Sequence, residues 1–261
     1  MGRRIQVLRA GFPEPEEMDT AVSHAVLRLV ARGELPETVR LHHPAAVVAF
    51  GPRDRVAPGF ERAVAAARSR GFGAIERLAG GRAAVFHPGT LAFSWAVPDP
   101  SPRERIRPRF DEVAAILAEA VRSVGVDARI GEVPGEYCPG EHSINARGRT
   151  KLVGVGQRVL AGAAHVGGVV VVDGSDRIRD VLLPVYEALD LEWDPATVGS
   201  VSDEAPGTTM AQVETAILDA FAARFELFQA DVPDAAVALA RELASRHAVG
   251  TPGPAPTSNR R

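Results

Sequence analysis

The chain has 261 residues, 46% of them hydrophobic and 24% charged, with a net charge of −3. That supports a sizeable globular core without disulfides or structural metals, and the slightly acidic balance weighs against a dedicated nucleic-acid binder, which would carry a basic excess. No apolar run is long enough to span a membrane, Met1 to Gln6 carry two arginines with no apolar stretch behind them and so read as no signal peptide, and the single cysteine gives no internal disulfide. A cytoplasmic location is the expectation.

Taken in chain order, apolar residues recur at helical spacing over 17–32, from Met18 through Val22 and Val26 to Val30. Residues 38–41 and 45–50 are expected as two strands joined by His42-His43-Pro44, and 60–70 as a helix ending at Gly71. A strand over 74–78 leads into Ala79-Gly80-Gly81-Arg82. Residues 83–86 and 91–97 are expected as an antiparallel hairpin turning at His87-Pro88-Gly89-Thr90. A strong helical pattern covers 110–124. A short strand at 128–130 is followed by a Gly/Pro-rich loop over 132–148, placed near a site because such loops carry function.

Residues 151–160 and 169–173 are expected as strands, the second a buried valine run. Helices are expected at 184–189, 213–228 and 234–246. Residues 250–261 are Pro/Ser/Thr-rich and are expected to be a disordered tail, leaving 1–249 as a single domain. Strands and helices interleave, but hairpin-like neighbours dominate the middle, which predicts an α+β fold and not a doubly wound parallel sheet.

Two residues are chemically unique. Lys151 is the only lysine among 30 basic residues, and Cys138, the only cysteine, lies on the Gly/Pro-rich loop just upstream. Lysine offers a compact movable ammonium where arginine offers a planar fork. A thiol beside a cation is biased towards the thiolate. Paired glycines at Gly80 and Gly81 let the backbone approach a ligand and present N–H groups to an anion, and Arg77 just before them can grip a carboxylate or phosphate by two prongs. Taken alone, this stretch reads more readily as a Gly-Gly hairpin with solvated arginines and a surface histidine, because such turns are common. Gly154-Val155-Gly156 lacks the third glycine and helix of a dinucleotide-binding fingerprint.

The string from Arg77 to Ser94 resembles the signature of the lipoate–protein ligase, octanoyltransferase and biotin–protein ligase superfamily, with Arg77, Gly80, Gly81, Ala84, Val85, His87, Gly89, Leu91, Phe93 and Ser94 matching in order. Arg40 to Gly51 is similar to its strand pair ending at the pocket, and Lys151 to Val159 to its lysine strand. The resemblance covers roughly residues 15–230. It implies the class II synthetase-like fold, with a mixed, largely antiparallel sheet flanked by helices. It also implies substrate-binding roles for Arg77, Gly80, Gly81, Arg82, Ala83, His87, Gly154 and Val155.

One group of octanoyltransferases in this superfamily carries its nucleophilic cysteine upstream of the lysine strand, as Cys138 is here. The resemblance therefore implies acyl transfer through a Cys138 thioester, with Lys151 at the acyl carbonyl and no cofactor or metal required; His142, four residues past the cysteine, is a candidate base by proximity. The acceptor would be the apo lipoyl domain of a partner protein and the donor an acyl carrier protein or another lipoyl domain, with neither nucleic acid nor membrane involved. Two alternatives stay open: an ATP- and Mg-dependent ligase that activates lipoate or octanoate as an adenylate, and a non-catalytic acyl- or lipoyl-domain-binding protein. In one respect the sequence departs from the pattern: Gly167 stands where the family has histidine, and His165 is two residues early.

Overall fold

The computed structural model describes residues 2–250; the tail expected to be disordered lies, from residue 251 onward, outside the described residues. In chain order the elements are β1 (Arg4–Leu8), α1 (Met18–Ala31), β2 (Thr38–His42), β3 (Val47–Phe50), α2 (Pro52–Arg55), α3 (Phe60–Ser69), β4 (Gly73–Glu76), β5 (Ala84–Phe86) and β6 (Thr90–Pro98). There follow α4 (Ile106–Ser123), β7 (Ala128–Ile130), β8 (Ile144–Ala146), β9 (Thr150–Leu160), β10 (Ala163–Val171), α5 (Ser175–Ala188), α6 (Val201–Glu204), α7 (Met210–Ala222), β11 (Glu226–Gln229) and α8 (Asp234–Leu243).

These strands form two sheets. The larger runs β11-β1-β2-β6-β10-β9-β8-β7 and the smaller β4-β3-β5. Pairing is antiparallel from β2 to β7 and parallel only at β11-β1-β2 and β4-β3. This is the mixed, largely antiparallel α+β arrangement the sequence implies. Helices α4 and α7 bury Val113, Leu117, Ile217 and Phe221 on one face of the large sheet. Helix α1 packs with α8 on the other face, through Val22, Val26, Ala236 and Ala240. Helices α3 and α5 cover the small sheet, through Val64, Ile178 and Leu182.

The structure corrects the expected hairpin over 83–97. Residues 84–86 pair with β3 (Val48 opposite Val85), whereas 90–98 pair with β2 and β10, so the chain changes sheet at His87-Pro88-Gly89. The two strands flanking His42-His43-Pro44 part in the same way, β2 into the large sheet and β3 into the small one. Pro44 has no N–H to continue a ladder. Local alternation of apolar residues marks a strand but not its partner, which is why 83–97 reads as a hairpin in the sequence. Where the strands diverge a narrow cavity of about 80 Å³ opens, lined by His42, Ala45, Ala49, Phe86, Ser94 and Gly167 among others.

Other corrections have local causes. Strands β1, β8 and β11 are three to five residues long, too short to show a period. β11 also ends the expected 213–228 helix early, at Ala222. Strand β10 begins at Ala163, well before the valine run. Helix α5 runs from Ser175, with Pro184 inside it. Proline removes the N–H that would reach the carbonyl of Asp180. Arg70 Nη1 donates to that carbonyl at 2.8 Å, so the helix continues through it.

Five histidines are buried: His24, His42, His87, His165 and His247. His247 Nδ1–H donates to the carbonyl of Glu76, and His24 Nδ1–H donates to His247 Nε2, each at 2.9 Å; Arg28 Nε donates to His24 Nε2 at 3.2 Å. Both imidazoles of this hydrogen-bonded pair, His24 and His247, are held neutral by burial. Burial lowers His24 and His87 to about 4 and His165 to about 3, with nearby arginine and histidine groups adding to the effect. The unfolded chain protonates histidine near 6.5, so unfolding takes up protons throughout the window below that value. The stability these groups contribute is complete above about pH 6.5 and is lost as pH falls through about 4. The urea midpoint measured from pH 7.5 to 4.5 should therefore drop steadily below pH 6.5; a flat profile across that window would contradict neutral burial.

Candidate active site

The glycine loop and the lysine strand do meet. Residues 79–81 lie flat across β9 at Gly156, where a Cβ would come within 3.0 Å of Ala79 Cβ, 3.1 Å of Arg77 Nη2 and 3.2 Å of the Gly80 carbonyl. Gly81 has φ +119, a conformation that disfavours any side chain, and its Cβ would sit 2.7 Å from Arg77 Nη1 and 2.9 Å from Cys138 Sγ. Glycine at 81 and 156 is thus what allows thiol, guanidinium and loop backbone to converge.

Cys138 Sγ accepts hydrogen bonds from Arg77 Nη1 and from the backbone N–H of Arg82, each at 3.3 Å. Arg77 Nη1 also donates to the carbonyl of Arg82 at 2.9 Å, which fixes the guanidinium. Burial pushes the thiol up, but the charges of Arg77 and Lys151 and the two hydrogen bonds outweigh it and hold Cys138 below its ordinary value. Cys138 has φ +45, in the left-handed region, which costs a non-glycine residue about 1–2 kcal/mol. Both of its backbone polar groups are tied: its N–H donates to Tyr186 Oη at 2.9 Å, and its carbonyl accepts from Lys151 Nζ at 2.7 Å.

Two spaces open onto the half-buried thiol. One groove, of about 510 Å³, is walled by Ile106, Phe110, Val155 and Val159. The other, of about 640 Å³, is rimmed by Arg53, Arg82, Glu132 and Glu192. The cavity between the sheets lies on the far side of Arg77, which lines it together with His165 and Gly168.

Of the residues expected at the site, Cys138, Arg77, Gly80, Gly81, Arg82 and Val155 come together here. Arg82 contributes its N–H; its guanidinium turns to Asp54 Oδ1 at 3.1 Å. Ala83 is buried and offers its carbonyl to Tyr186. Gly154 leaves room for Lys151, whose Cε lies 3.3 Å from where a Cβ would be. Lys151 is not aimed at either groove: it is 2% exposed and donates to Glu136 Oε1 at 2.8 Å and to the carbonyls of Tyr137 and Cys138.

His87 is not brought to the thiol. Its Nδ1 accepts from the N–H of Gly89 at 3.0 Å, and it braces the sheet-changing turn. His142 Nε2 pairs with Asp111 at 2.8 Å and its ring stacks on Phe110, in the wall of the groove that Cys138 also lines. The departure at Gly167 has a geometric reading. His165 and Gly167 share one face of β10, and a Cβ at 167 would lie 2.5 Å from His165 Nε2. The imidazole fills, from two residues earlier, the space over Gly167.

Glu136 and Tyr186 escaped the sequence reading. A carboxylate in a Gly/Pro-rich loop looks solvated, and Tyr186 sat in a helix whose extent Pro184 obscured.

A mixed eight-stranded sheet joined to a smaller three-stranded one, with helices packed on both, is the α+β fold of the lipoate–protein ligases. The chain belongs to the lipoyl protein ligase A/B catalytic domain family, whose model matches residues 16–222. It is 28% identical over 163 residues to an octanoyl-[GcvH]:protein N-octanoyltransferase of Geobacillus kaustophilus, covering 62% of this chain and 57% of that protein. It is 25% identical over 193 residues to a lipoyl-[GcvH]:protein N-lipoyltransferase of Listeria monocytogenes, covering 70% and 69%. The match thus spans little more than half the length of the Geobacillus relative. Among solved structures, a lipoate-protein ligase A bound with ATP superposes with TM-score 0.76 at 20% identity, covering 94% of this chain and 95% of that one. A putative lipoate protein ligase from T. acidophilum with bound lipoic acid superposes with TM-score 0.72 at 21% identity, covering 94% and 96%. At those identities the likeness shows the fold.

Because Cys138 is the chain's only thiol, its ionisation can be read by alkylation with iodoacetamide across pH. The midpoint should lie below the ordinary thiol value of 9.0. Arg77→Met should raise it. Gly81→Ala should slow alkylation at pH 7 by roughly tenfold, a shift of ~1.4 kcal/mol, through strain and displacement of Arg77. A wild-type midpoint at or above 9 would contradict cation-assisted ionisation.

Proposed function

We propose that this protein transfers an octanoyl or lipoyl group to a lysine amine of a lipoyl-domain protein through a thioester on Cys138. The observation that carries the reading is the thiol itself: sole in the chain, held by Arg77 and the Arg82 N–H, and open to two grooves. Relatives named as GcvH-dependent octanoyl- and lipoyltransferases support the substrate class and the lipoyl-domain partner.

In the first step the thiolate attacks the acyl carbonyl of the donor, either a lipoyl-domain lysine amide or an acyl carrier thioester. A C–S bond forms, the C–N or C–S bond of the donor breaks, and the leaving amine or thiolate takes its proton from solvent. In the second step the acceptor lysine amine attacks the Cys138 thioester. A C–N bond forms, the C–S bond breaks, the ammonium proton passes to solvent, and the thiolate is restored. Once sulfur has lost its charge in the thioester-forming step, the donors that held it, Arg77 and the Arg82 N–H, are the groups assigned to the oxyanion of both tetrahedral intermediates. Cys138's own N–H is committed to Tyr186 and takes no part.

Among the described residues the hydrogen-bond donors to Sγ are Arg77 and the Arg82 N–H, which supports ionisation of the thiol by neighbouring positive charge. The apolar wall of Ile106, Phe110, Val155 and Val159 suits an eight-carbon chain, and the carboxylates Glu132 and Glu192 suit an approaching ammonium. The reaction as written needs no nucleotide or metal.

Incubation with an octanoylated donor domain should add one octanoyl group to Cys138, detectable by mass spectrometry and removed by hydroxylamine. Cys138→Ala should lose transfer to apo lipoyl domain by roughly 1,000-fold or more. Lipoate-dependent AMP release from ATP with full activity in Cys138→Ala would replace this reading with the ligase one. Acyl or lipoyl-domain binding without transfer would leave a binding protein.

A further inference from the structure

Cys138 sits in a left-handed backbone conformation on a loop with no regular secondary structure from Gly131 to Ser143. Nothing in its immediate sequence enforces that geometry, since glycine, not cysteine, is the residue that adopts it freely. Something outside the peptide must hold it, and the structure shows contacts on both sides of the residue.

On the carbonyl side the anchor is Glu136, which is 3% exposed. Its carboxylate accepts from the N–H of Val133 at 3.0 Å, the N–H of Gly140 at 3.1 Å, Ser143 Oγ at 2.6 Å and Lys151 Nζ at 2.8 Å. The three loop donors flank Cys138 before and after, so one carboxylate draws the loop into a ring around the nucleophile. Lys151 carries three N–H donors, and all three have acceptors: Glu136, the Tyr137 carbonyl and the Cys138 carbonyl. On the amide side, Tyr186 Oη accepts from the Cys138 N–H and donates to the Ala83 carbonyl at 3.0 Å, tying the nucleophile loop to the glycine loop. Burial keeps the phenol protonated, pushing it well above its ordinary value.

We infer that a two-sided clamp positions Cys138: Glu136, acting through Lys151, fixes its carbonyl, and Tyr186 fixes its N–H. Lys151 is then a positioning residue as well as a nearby positive charge, its three donors engaged by the loop. The inference rests on the thioester reading for its kinetic consequence, but its geometric content stands on the loop alone.

The test uses the full chain with Glu136→Gln, Lys151→Met, the double variant and Tyr186→Phe. Two readouts are taken: the pH profile of Cys138 alkylation by iodoacetamide, and kcat and KM for octanoyl transfer between donor domain and apo lipoyl domain. Glu136→Gln should lower kcat roughly 10- to 100-fold, equivalent to ~1.4–2.8 kcal/mol, with KM for both proteins within about twofold. It should also move the alkylation midpoint upward. The sign is diagnostic: removing a negative charge near a thiol would by itself lower the midpoint, so a rise reports lost contact with Arg77 and the Arg82 N–H.

Lys151→Met leaves a buried carboxylate unpaired and should be the weaker single variant. Adding Glu136→Gln to it should restore about tenfold in kcat and in alkylation rate. If Glu136→Gln proves unfolded by circular dichroism, Tyr186→Phe decides instead, since it removes one oxygen and keeps the ring; it should reduce kcat and raise the midpoint. An unchanged profile and kcat in Glu136→Gln or in Tyr186→Phe would overturn the clamp. So would a double variant that alkylates like the wild type yet is as inactive as Lys151→Met, because that places Lys151 on the substrate. Transfer retained by Cys138→Ala would sink the thioester reading while leaving the alkylation result to judge the clamp.

Discussion

The contact between the Arg77 guanidinium and Cys138 Sγ is where the architecture of this protein converges. A thiol buried without a cation would stay protonated and inert. A guanidinium buried without an acceptor would be costly. Each is tolerable because the other is there, and both need the glycine loop to lie directly on β9. Gly81 and Gly156 permit that approach at the two positions where a side chain would collide with the group it must admit. The sheet supplies a rigid floor, the glycine loop a hydrogen-bonding wall, and the loop around Glu136 delivers the sulfur.

The same arrangement accounts for the division of labour among charges. Three cationic side chains surround the thiol region, and two of them are balanced by buried carboxylates: Arg82 by Asp54 and Lys151 by Glu136. Arg77 has no carboxylate partner among the described residues; its acceptors are the Arg82 carbonyl and the sulfur. The free positive charge is therefore concentrated on the group that touches sulfur. Lys151, by contrast, is engaged on all three of its donors.

Much of the fold could be read from periodicity. Helix α1, with Met18, Val22, Val26 and Val30 on its buried face, falls within a residue of expectation, and β9 does the same. The strands around His42-His43-Pro44 and His87-Pro88-Gly89 were legible as strands and illegible as partners. Alternation records which face of a strand is buried, whereas sheet membership depends on residues far along the chain, such as Val170 and Val171 opposite Leu91 and Thr90. Of the site, Arg77, Gly80, Gly81, Cys138 and Lys151 stood out by chemical rarity and motif. His87 matched the motif and serves the turn.

What the sequence by itself determined was the inventory: one thiol, one amine, a paired-glycine turn and the order in which they occur. Those features follow from residue identity and local spacing, which need no partner to be recognised. Only the tertiary structure decided their roles. Lys151 lies against a buried carboxylate two residues before the cysteine, and Tyr186, forty-eight positions beyond that cysteine, holds its amide. Hydrogen-bond direction and the left-handed turn at Cys138 arise from how separate elements pack in space, and that packing is set by burial across the whole chain, which no local window of residues contains.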